Sequence, residues 1–318
     1  MFNRILLPMD RSSLAECVLP HAIVIARAFE SKLTLAHVME AGHRVNWYRP
    51  VDPLSWRIRK AEAQGYLDDL ARRLQEAGLT TEKQILEGPA AERIVEFSRT
   101  NDVPLIMLSS HGQTGLSGWN VSGTVQKIVL RAHTSIMMVR AYQRTPTEIA
   151  GLRYHRLLVP LDGSQRAEFI LPAVATLARA HEAQIVLAHV VRRPDMPRQM
   201  PPSREDSELA DRLVERNYAE AIQYLENLRS RLPGASEARV LVSEHVTATL
   251  HELVEQENID LVLLSAHGQS GLTRWPFGGV VMSFITFGAT PLLVMQDLPT
   301  NEIQSTPAEL AAGEHGRS

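Results

Sequence analysis

The sequence contains very little cysteine and no long apolar run. Among its 318 residues the single cysteine is Cys17, so the chain cannot form an internal disulfide, which fits a reducing compartment. No apolar run reaches the roughly 18 residues that a membrane-spanning helix needs. The opening stretch MFNRILLPMDRSS has too short an apolar core for a signal peptide. These absences predict a cytoplasmic protein without a membrane segment.

Basic residues are not in excess either. The 33 lysines and arginines are offset by 36 aspartates and glutamates, which gives a net charge of −3 and argues against a general nucleic-acid surface. The histidines and the cysteine lack the spacing of a metal site. HELVE at 251–255 lacks the second histidine of a zinc protease helix. We therefore expect neither a nucleic-acid partner nor a metal centre.

The chain does contain a long internal repeat. LSSHGQTGLSGWN at 108–120 and LSAHGQSGLTRWP at 264–276 are identical at eight of thirteen positions. RILLPMDRSSLAE, which begins at Arg4, also aligns without gaps with RLLVPLDGSQRAE, which begins at Arg156. An offset of 152 at the start and 156 at the glycine loops corresponds to a whole domain rather than to a solenoid unit.

We expect a first domain at 1–141 (copy one), a linker at 142–153, a second domain at 154–297 (copy two) and a flexible tail at 298–318. Each copy alternates short apolar runs with helical segments, which predicts an α/β fold with a parallel sheet covered by helices on both faces. Ser12 is expected to cap a first helix that reaches Phe29 and bends at Pro20. The strands of copy one are predicted at 4–9, 32–39, 81–87, 104–110 and 135–140, and those of copy two near 156–161, 184–191, 238–244, 260–265 and 291–295.

Two loops in each copy follow strand ends, where doubly wound sheets bind ligands. One follows the first strand and contains Asp10 or Asp162. The other is the glycine loop after the fourth strand. Glycines let backbone amides approach an anion, and the next helix points its N-terminus at the same place. The pattern indicates phosphate binding, while the aspartates are open to contacting a ribose or base or to capping the first helix.

Together these motifs resemble the universal stress protein family. LLPMDRSSLAE, LLVPLDGSQRAE, the AHV ends of both second strands and both glycine loops carry the resemblance, which covers residues 3–296. It implies two tandem, doubly wound five-stranded sheets of order 3-2-1-4-5, like those of adenine-nucleotide alpha hydrolases. It also implies ATP, ADP or AMP as the ligand, with or without Mg²⁺.

The chain departs from the motif of ATP-binding family members, which is Gly, two residues, Gly, nine residues, then Gly followed by Ser or Thr. Serine stands at the first glycine in both copies, the second glycine is kept, and the final pair is Ser122–Gly123 or Gly278–Gly279. The resemblance and the loops together predict as nucleotide-binding residues Pro8, Asp10, Val38, Ser109, Gly112, Ser122, Gly123, Thr124, Pro160, Asp162, Val190, Ser265, Gly268, Gly278 and Gly279.

Three functions are compatible with these motifs. The leading hypothesis is nucleotide binding and stress-response regulation without catalysis, or at most slow ATP hydrolysis, because the glycine loops contain no triad, paired carboxylates or Walker lysine. The alternative is an interaction protein with degenerate pockets that acts by docking partners. An enzyme of the wider nucleotide-binding superfamily would need a HIGH-like sequence after strand one, which MDRSS and LDGSQ do not provide.

The repeat also predicts how the copies relate. Antiparallel pairing of the fifth strands would make an intrachain pseudo-dimer and hide two open sheet edges, while a further homodimer stays open.

We expect copy two to bind nucleotide more tightly, because it keeps DGS at 162–164 and Gly278. Arg11, by reaching a phosphate, and Thr124, by supplying a hydroxyl, would favour copy one. His37 and His189 are expected to be packed, His111 and His267 to brace the loop or contact phosphate, and Trp119 and Trp275 to be packing anchors.

Overall fold

The computed structural model describes residues 1–40, 53–112, 121–141, 151–194, 203–269 and 276–298. Two short 3₁₀ turns, Ala15–Val18 and Ala167–Ile170, precede the first helix of each copy. The strands are β1 Arg4–Pro8, β2 Lys32–Met39, β3 Thr81–Glu87, β4 Leu105–Ser109, β5 Ser135–Val139, β6 Arg156–Pro160, β7 Gln184–Val191, β8 Ser236–Val242, β9 Leu261–Ser265 and β10 Leu292–Met295. The helices are α1 Leu19–Phe29, α2 Pro53–Glu76, α3 Ala90–Thr100, α4 Gly123–Arg131, α5 Leu171–His181, α6 Arg204–Arg229, α7 Val246–Gln256 and α8 Gly279–Phe287.

All ten strands belong to one sheet of order β3-β2-β1-β4-β5-β10-β9-β6-β7-β8. Each half is parallel and has the predicted 3-2-1-4-5 order. The halves meet where β5 pairs antiparallel with β10, with Leu293 opposite Met137 and Leu292 opposite Met138. This is the pairing expected from the sequence. It places the two methionines in the middle of the sheet, where both are fully buried.

The central strands are apolar along their whole length because helices cover both faces of the sheet. Successive side chains of β1 point to opposite faces, so Ile5 and Leu7 belong to one buried layer and Leu6 belongs to the other. Each layer continues across both halves. This shared core fixes the strand ends from which the loops of both copies emerge.

The start of the first helix differs from the sequence prediction. Ser12 does act as a cap, since its Oγ accepts a hydrogen bond from the Ala15 amide at 3.0 Å. It caps the 3₁₀ turn, however, and the α-helix begins only at Leu19. Pro20 therefore lies in the first turn of α1, where its missing N–H leaves no hydrogen bond unmade. The predicted bend at Pro20 is wrong for this reason.

Two buried polar contacts join the halves. Arg140, at the end of β5, donates hydrogen bonds to the carbonyls of Phe284 (2.6 Å) and Ile285 (2.9 Å) in the last turn of α8, where the helix dipole favours a cation. On the other face, the Tyr154 hydroxyl lies 2.7 Å from Nδ1 of His21 in α1. Burial lowers the pKa of His21 to about 4.

No helix in the described part of the chain combines the length and the apolar character needed to cross a bilayer.

We predict that the free energy of unfolding decreases as the pH falls from about 6.5 to about 4. In that window the unfolded chain takes up a proton at His21 while the folded chain does not. Each pKa unit corresponds to about 1.4 kcal/mol, so His21 accounts for about 3 kcal/mol. Urea titrations across this range measure the effect. His21→Gln, which keeps a hydrogen-bonding partner for Tyr154, should flatten the dependence, and an unchanged slope would contradict the assignment.

Candidate functional site

A cleft opens at the carboxyl ends of the strands in each half. In copy one it lies between the ends of β1 and β4, the point where the strand order reverses, and it has a volume of about 430 Å³. The corresponding cleft of copy two lies between β6 and β9 and measures about 990 Å³. Both volumes fall in the range of small-molecule sites. We refer to them as the copy-one cleft and the copy-two cleft.

The structure brings nearly all of the sequence-predicted binding residues to these clefts. Gly123 is the exception: it is the first residue of α4 and does not line the copy-one cleft. The copy-one cleft is lined by Pro8, Asp10, Val38, Ser109, Gly112, Ser122 and Thr124. The copy-two cleft is lined by Pro160, Asp162, Val190, Ser265, Gly268, Gly278 and Gly279.

The aspartates after the first strands are already engaged by the protein. Asp162 Oδ1 accepts hydrogen bonds from the Ser164 amide (3.0 Å) and hydroxyl (2.6 Å). Asp10 Oδ1 makes the same two bonds with Ser12, at the same distances. The serine hydroxyls in turn cap the 3₁₀ turns. The aspartates therefore support the start of the first helical segment, one of the two roles that the sequence left open.

The retained glycines lie against these carboxylates. A methyl group added at Gly112 would overlap Oδ2 of Asp10 and lie 3.0 Å from its Cγ, and one at Gly268 would do the same to Asp162. By contrast, a methyl group at Gly279 meets nothing within 4 Å, and one at Gly278 lies 3.4 Å from the nearest atom, the Ala266 carbonyl oxygen. Among the glycines of these loops that the structure describes, the strictest requirement for glycine thus comes from the aspartate.

The N-termini of α4 and α8 face the two clefts but are capped differently. Ser122 is the N-cap of α4, and its hydroxyl accepts a hydrogen bond from the Val125 amide at 3.4 Å. Gly278 is the N-cap of α8 and has no side chain to do this. The first-turn amides of α8 are therefore not occupied by a capping side chain, and such amides bind anions.

Arg11 lines the copy-one cleft, but its side chain is held by an ion pair within the protein. Its guanidinium lies 3.1 Å from a carboxylate oxygen of Glu62 in α2. Its backbone has φ 70°, and Gly163 at the matching position of copy two has φ 85°. Glycine adopts this left-handed conformation without strain, whereas other residues rarely do. Copy two therefore has the residue suited to this turn.

The loop histidines brace the site from within the protein. In copy one, His111 Nδ1 lies 3.0 Å from the Ser110 hydroxyl. In copy two, His267 Nδ1 lies 2.7 Å from Asp297, whose other oxygen is 3.2 Å from Arg166 Nε. Copy one has Ala141 in the place of Asp297, so this ionic network belongs to copy two alone.

Both second-strand histidines line the clefts: His37 is buried and hydrogen-bonded, as the sequence predicted, whereas His189 is half-buried. His37 Nδ1 bonds to the Met9 carbonyl oxygen at 2.7 Å. Burial is the main cause that lowers the pKa of His189. Trp119 and Trp275 lie outside the described residues.

Sequence reasoning missed the wall that α2 and α6 contribute. Arg59 lines the copy-one cleft, and Asn217, Glu220 and Tyr224 line the copy-two cleft. A signal was present: AEA, two residues and YL recur at 61–67 and 219–225. In copy two this repeat supplies Glu220, Ala221 and Tyr224 to the cleft wall, whereas in copy one none of its residues lines the cleft. The copy-one cleft is also lined by Glu40, which follows β2 and whose carboxylate accepts a hydrogen bond from the Ala90 amide at 2.8 Å. The matching residue of the copy-two cleft is Arg192.

Within the described ranges, no group of three or more His, Cys, Asp or Glu side chains is arranged to hold a metal ion.

The doubly wound halves, each with a glycine loop and a helix N-terminus at the switch point, define an α/β protein with a cleft where this class of fold places its ligands. The model of the universal stress protein family matches residues 1–140 and 153–296. The chain therefore belongs to this family and contains two tandem copies of its domain.

Individual relatives support the fold. A universal stress protein of Methanocaldococcus jannaschii is 26% identical over 144 residues, which cover 44% of this chain and 83% of the relative. The crystal structure of a universal stress protein from Archaeoglobus fulgidus superposes with a TM-score of 0.64 at 15% identity and covers 93% of this chain and 99% of its own. A functionally unknown protein from Pseudomonas aeruginosa PAO1 gives a TM-score of 0.67 at 13% identity, with 99% and 98% covered.

We predict that Asp297→Ala destabilises the chain by about 2 kcal/mol, because it removes the buried carboxylate that lies 2.7 Å from His267 Nδ1 and 3.2 Å from Arg166 Nε. Urea unfolding monitored by circular dichroism measures the change. The matched control is Glu182→Ala, which breaks the exposed pair with Arg153 and should cost under about 1 kcal/mol. Equal effects of the two substitutions would show that the network does not stabilise the fold.

Proposed function

We propose that this chain is a cytosolic adenine-nucleotide-binding protein that regulates a stress response by binding ATP, ADP or AMP rather than by turning them over. Domain boundaries at 1–141 and 154–297, with a linker at 142–153 and a tail at 298–318, form part of this proposal. Residues 142–150 and 299–318 of these segments lie outside the described part of the chain.

The observation that carries the proposal is the convergence of three elements in each cleft. The loop after the first strand, the glycine loop and the N-terminus of the following helix meet at the strand-order reversal. Helix amides suit a phosphate. Apolar side chains such as Val190 and Leu250 line the same cleft and suit a base. In copy two the volume of about 990 Å³ accommodates a complete nucleotide.

Binding without efficient catalysis fits the charged groups that line the clefts. The Asp162 carboxylate already accepts three hydrogen bonds from the protein, which leaves it little free acceptor capacity to orient an attacking water. Arg11 is paired with Glu62 on the wall of the copy-one cleft. Hydrolysis of a bound nucleotide would therefore be slow. Mg²⁺, if present, would be carried by the phosphates.

The geometry favours copy two as the tighter site. Its cleft is larger, its turn has glycine at 163, and the first-turn amides of α8 have no capping hydroxyl. In copy one the Ser122 hydroxyl occupies the Val125 amide. This occupied amide favours a second candidate function for copy one, a degenerate pocket whose half of the chain docks a protein partner.

The most direct test is chemical. We expect the purified full-length chain to release adenine nucleotide on denaturation, or to bind ATP in calorimetry after nucleotide removal. Neither release nor binding would favour the interaction-protein hypothesis.

We predict that Gly268→Val removes the tighter nucleotide site and that Gly112→Val leaves it in place. In each case the new side chain collides with the aspartate of its own copy, Asp162 or Asp10, so the two substitutions are matched. Nucleotides bound per chain, counted by calorimetry on folded protein, give the readout. Loss of the tighter site in Gly112→Val alone would reverse the ranking of the clefts.

We also predict that Gly279→Ser tightens ATP binding by about tenfold, because it restores the hydroxyl of the family pattern, and one hydrogen bond to a charged group contributes about 1.5 kcal/mol. The substitution has room, since nothing lies within 4 Å of the added carbon. Gly279→Ala is the control that adds the same carbon without the hydroxyl. Equal affinities of the two variants would show that residue 279 does not contact the nucleotide.

A further inference from the structure

We propose that Asp162 and Asp10 are positioning residues: they hold the glycine loop against the loop after the first strand, and they set the backbone amides for the phosphate end of the ligand. Neither carboxylate is needed to recognise the base or the ribose. This proposal rests on the proposed nucleotide binding for its statement about the ligand. It assigns the two aspartates to the phosphate end of the nucleotide.

Both oxygens of the Asp162 carboxylate accept hydrogen bonds from the protein. Oδ1 accepts the Ser164 amide and hydroxyl, and Oδ2 accepts the Gln269 amide at 2.6 Å. An ionised carboxylate offers about four acceptor sites, so three bonds to the protein nearly fill it. The carboxylate thereby ties the turn at 162–164 to the glycine loop, two segments more than 100 residues apart in sequence.

The contact between Asp162 and the glycine loop requires glycine at position 268. Oδ2 can reach the Gln269 amide only because Gly268 has no side chain, since a methyl group there would overlap the same oxygen. The aspartate and the glycine therefore form the contact together, and a side chain at residue 268 would prevent it. A glycine that served only a phosphate would show empty space on the cleft side, as Gly279 does.

Both copies keep the aspartate–glycine contact while their surroundings differ. Asp10 lies against Gly112 as Asp162 lies against Gly268. Yet Arg11 replaces Gly163 in the adjoining turn, and Ser122 replaces Gly278 at the helix N-cap. The contact thus does not depend on the residues that distinguish the two clefts, as expected of a structural connection between two loops.

The first arm of the test needs no ligand. Amide hydrogen exchange at Gln269 is measured in the full-length chain by NMR. Asp162→Ala should raise the exchange rate of this amide by at least about tenfold, the factor that corresponds to a hydrogen bond of about 1.4 kcal/mol or more. Asp68→Ala, which removes an exposed aspartate paired with Lys83, is the matched control and should leave it unchanged. An unchanged rate in Asp162→Ala would overturn the proposal.

The second arm compares ligands. In Asp162→Ala the affinity for ATP should fall about tenfold or more, because misplaced amides lose charge-assisted bonds, while the affinity for adenosine should stay within about twofold. Equal losses for both ligands would place the carboxylate on the base or ribose and contradict the proposal. If the wild-type chain binds neither ligand, the proposed function fails, and the exchange measurement still decides whether Asp162 positions the loop.

A double substitution separates positioning from misfolding. Gly268→Ala alone should speed exchange at Gln269, because the added carbon displaces the carboxylate. In the Asp162→Ala background the same change should have little further effect, since the colliding oxygens are gone. Additive effects of the two substitutions would show that they act separately and would overturn the proposal.

Discussion

The antiparallel pairing of β5 with β10 is the contact on which the architecture depends. A half ending in an uncovered β5 or β10 would present an apolar edge with unpaired backbone groups, whereas here each edge is completed by the other copy. The pairing buries Met137 and Met138 and brings Arg140 to the last turn of α8. A guanidinium buried to this degree is tolerated because helix carbonyls at a C-terminus accept its hydrogen bonds.

Within this frame the two copies have diverged around an unchanged contact. Aspartate against glycine recurs in both clefts, while the turn, the helix cap and the bracing of the loop histidine differ. In copy two the hydroxyl contact of the histidine is replaced by a contact with the buried Asp297, which also pairs with the partly exposed Arg166. Copy one instead adds the Arg11–Glu62 pair on its cleft wall. The two copies thus share the aspartate–glycine contact and differ in the groups that line the clefts.

Much of the fold could be predicted because apolar runs and turn residues act locally. β2 and β3 begin and end at the predicted residues, and the other strand ends agree within about two residues, close to the uncertainty of any boundary assignment. The first helix was predicted wrongly, since the sequence shows a proline inside a helical pattern but does not show that a 3₁₀ turn precedes it. Pro20 is compatible with either a bend or a first turn, and the packing of Ala15–Val18 determines which one forms.

The sequence by itself determined the duplication, the strand order implied by the family and the two loops that form each cleft. These features follow from repeated motifs and from the spacing of apolar residues, both of which can be seen in short stretches of the sequence. Only the tertiary structure showed why residues 112 and 268 are glycine. A side chain at either position would overlap the carboxylate of Asp10 or Asp162, which lies about 100 residues away in sequence. The tertiary structure likewise paired Arg11 with Glu62 and His267 with Asp297. Such contacts depend on which side chains the fold brings within a few ångströms, and spacing along the chain does not encode that distance.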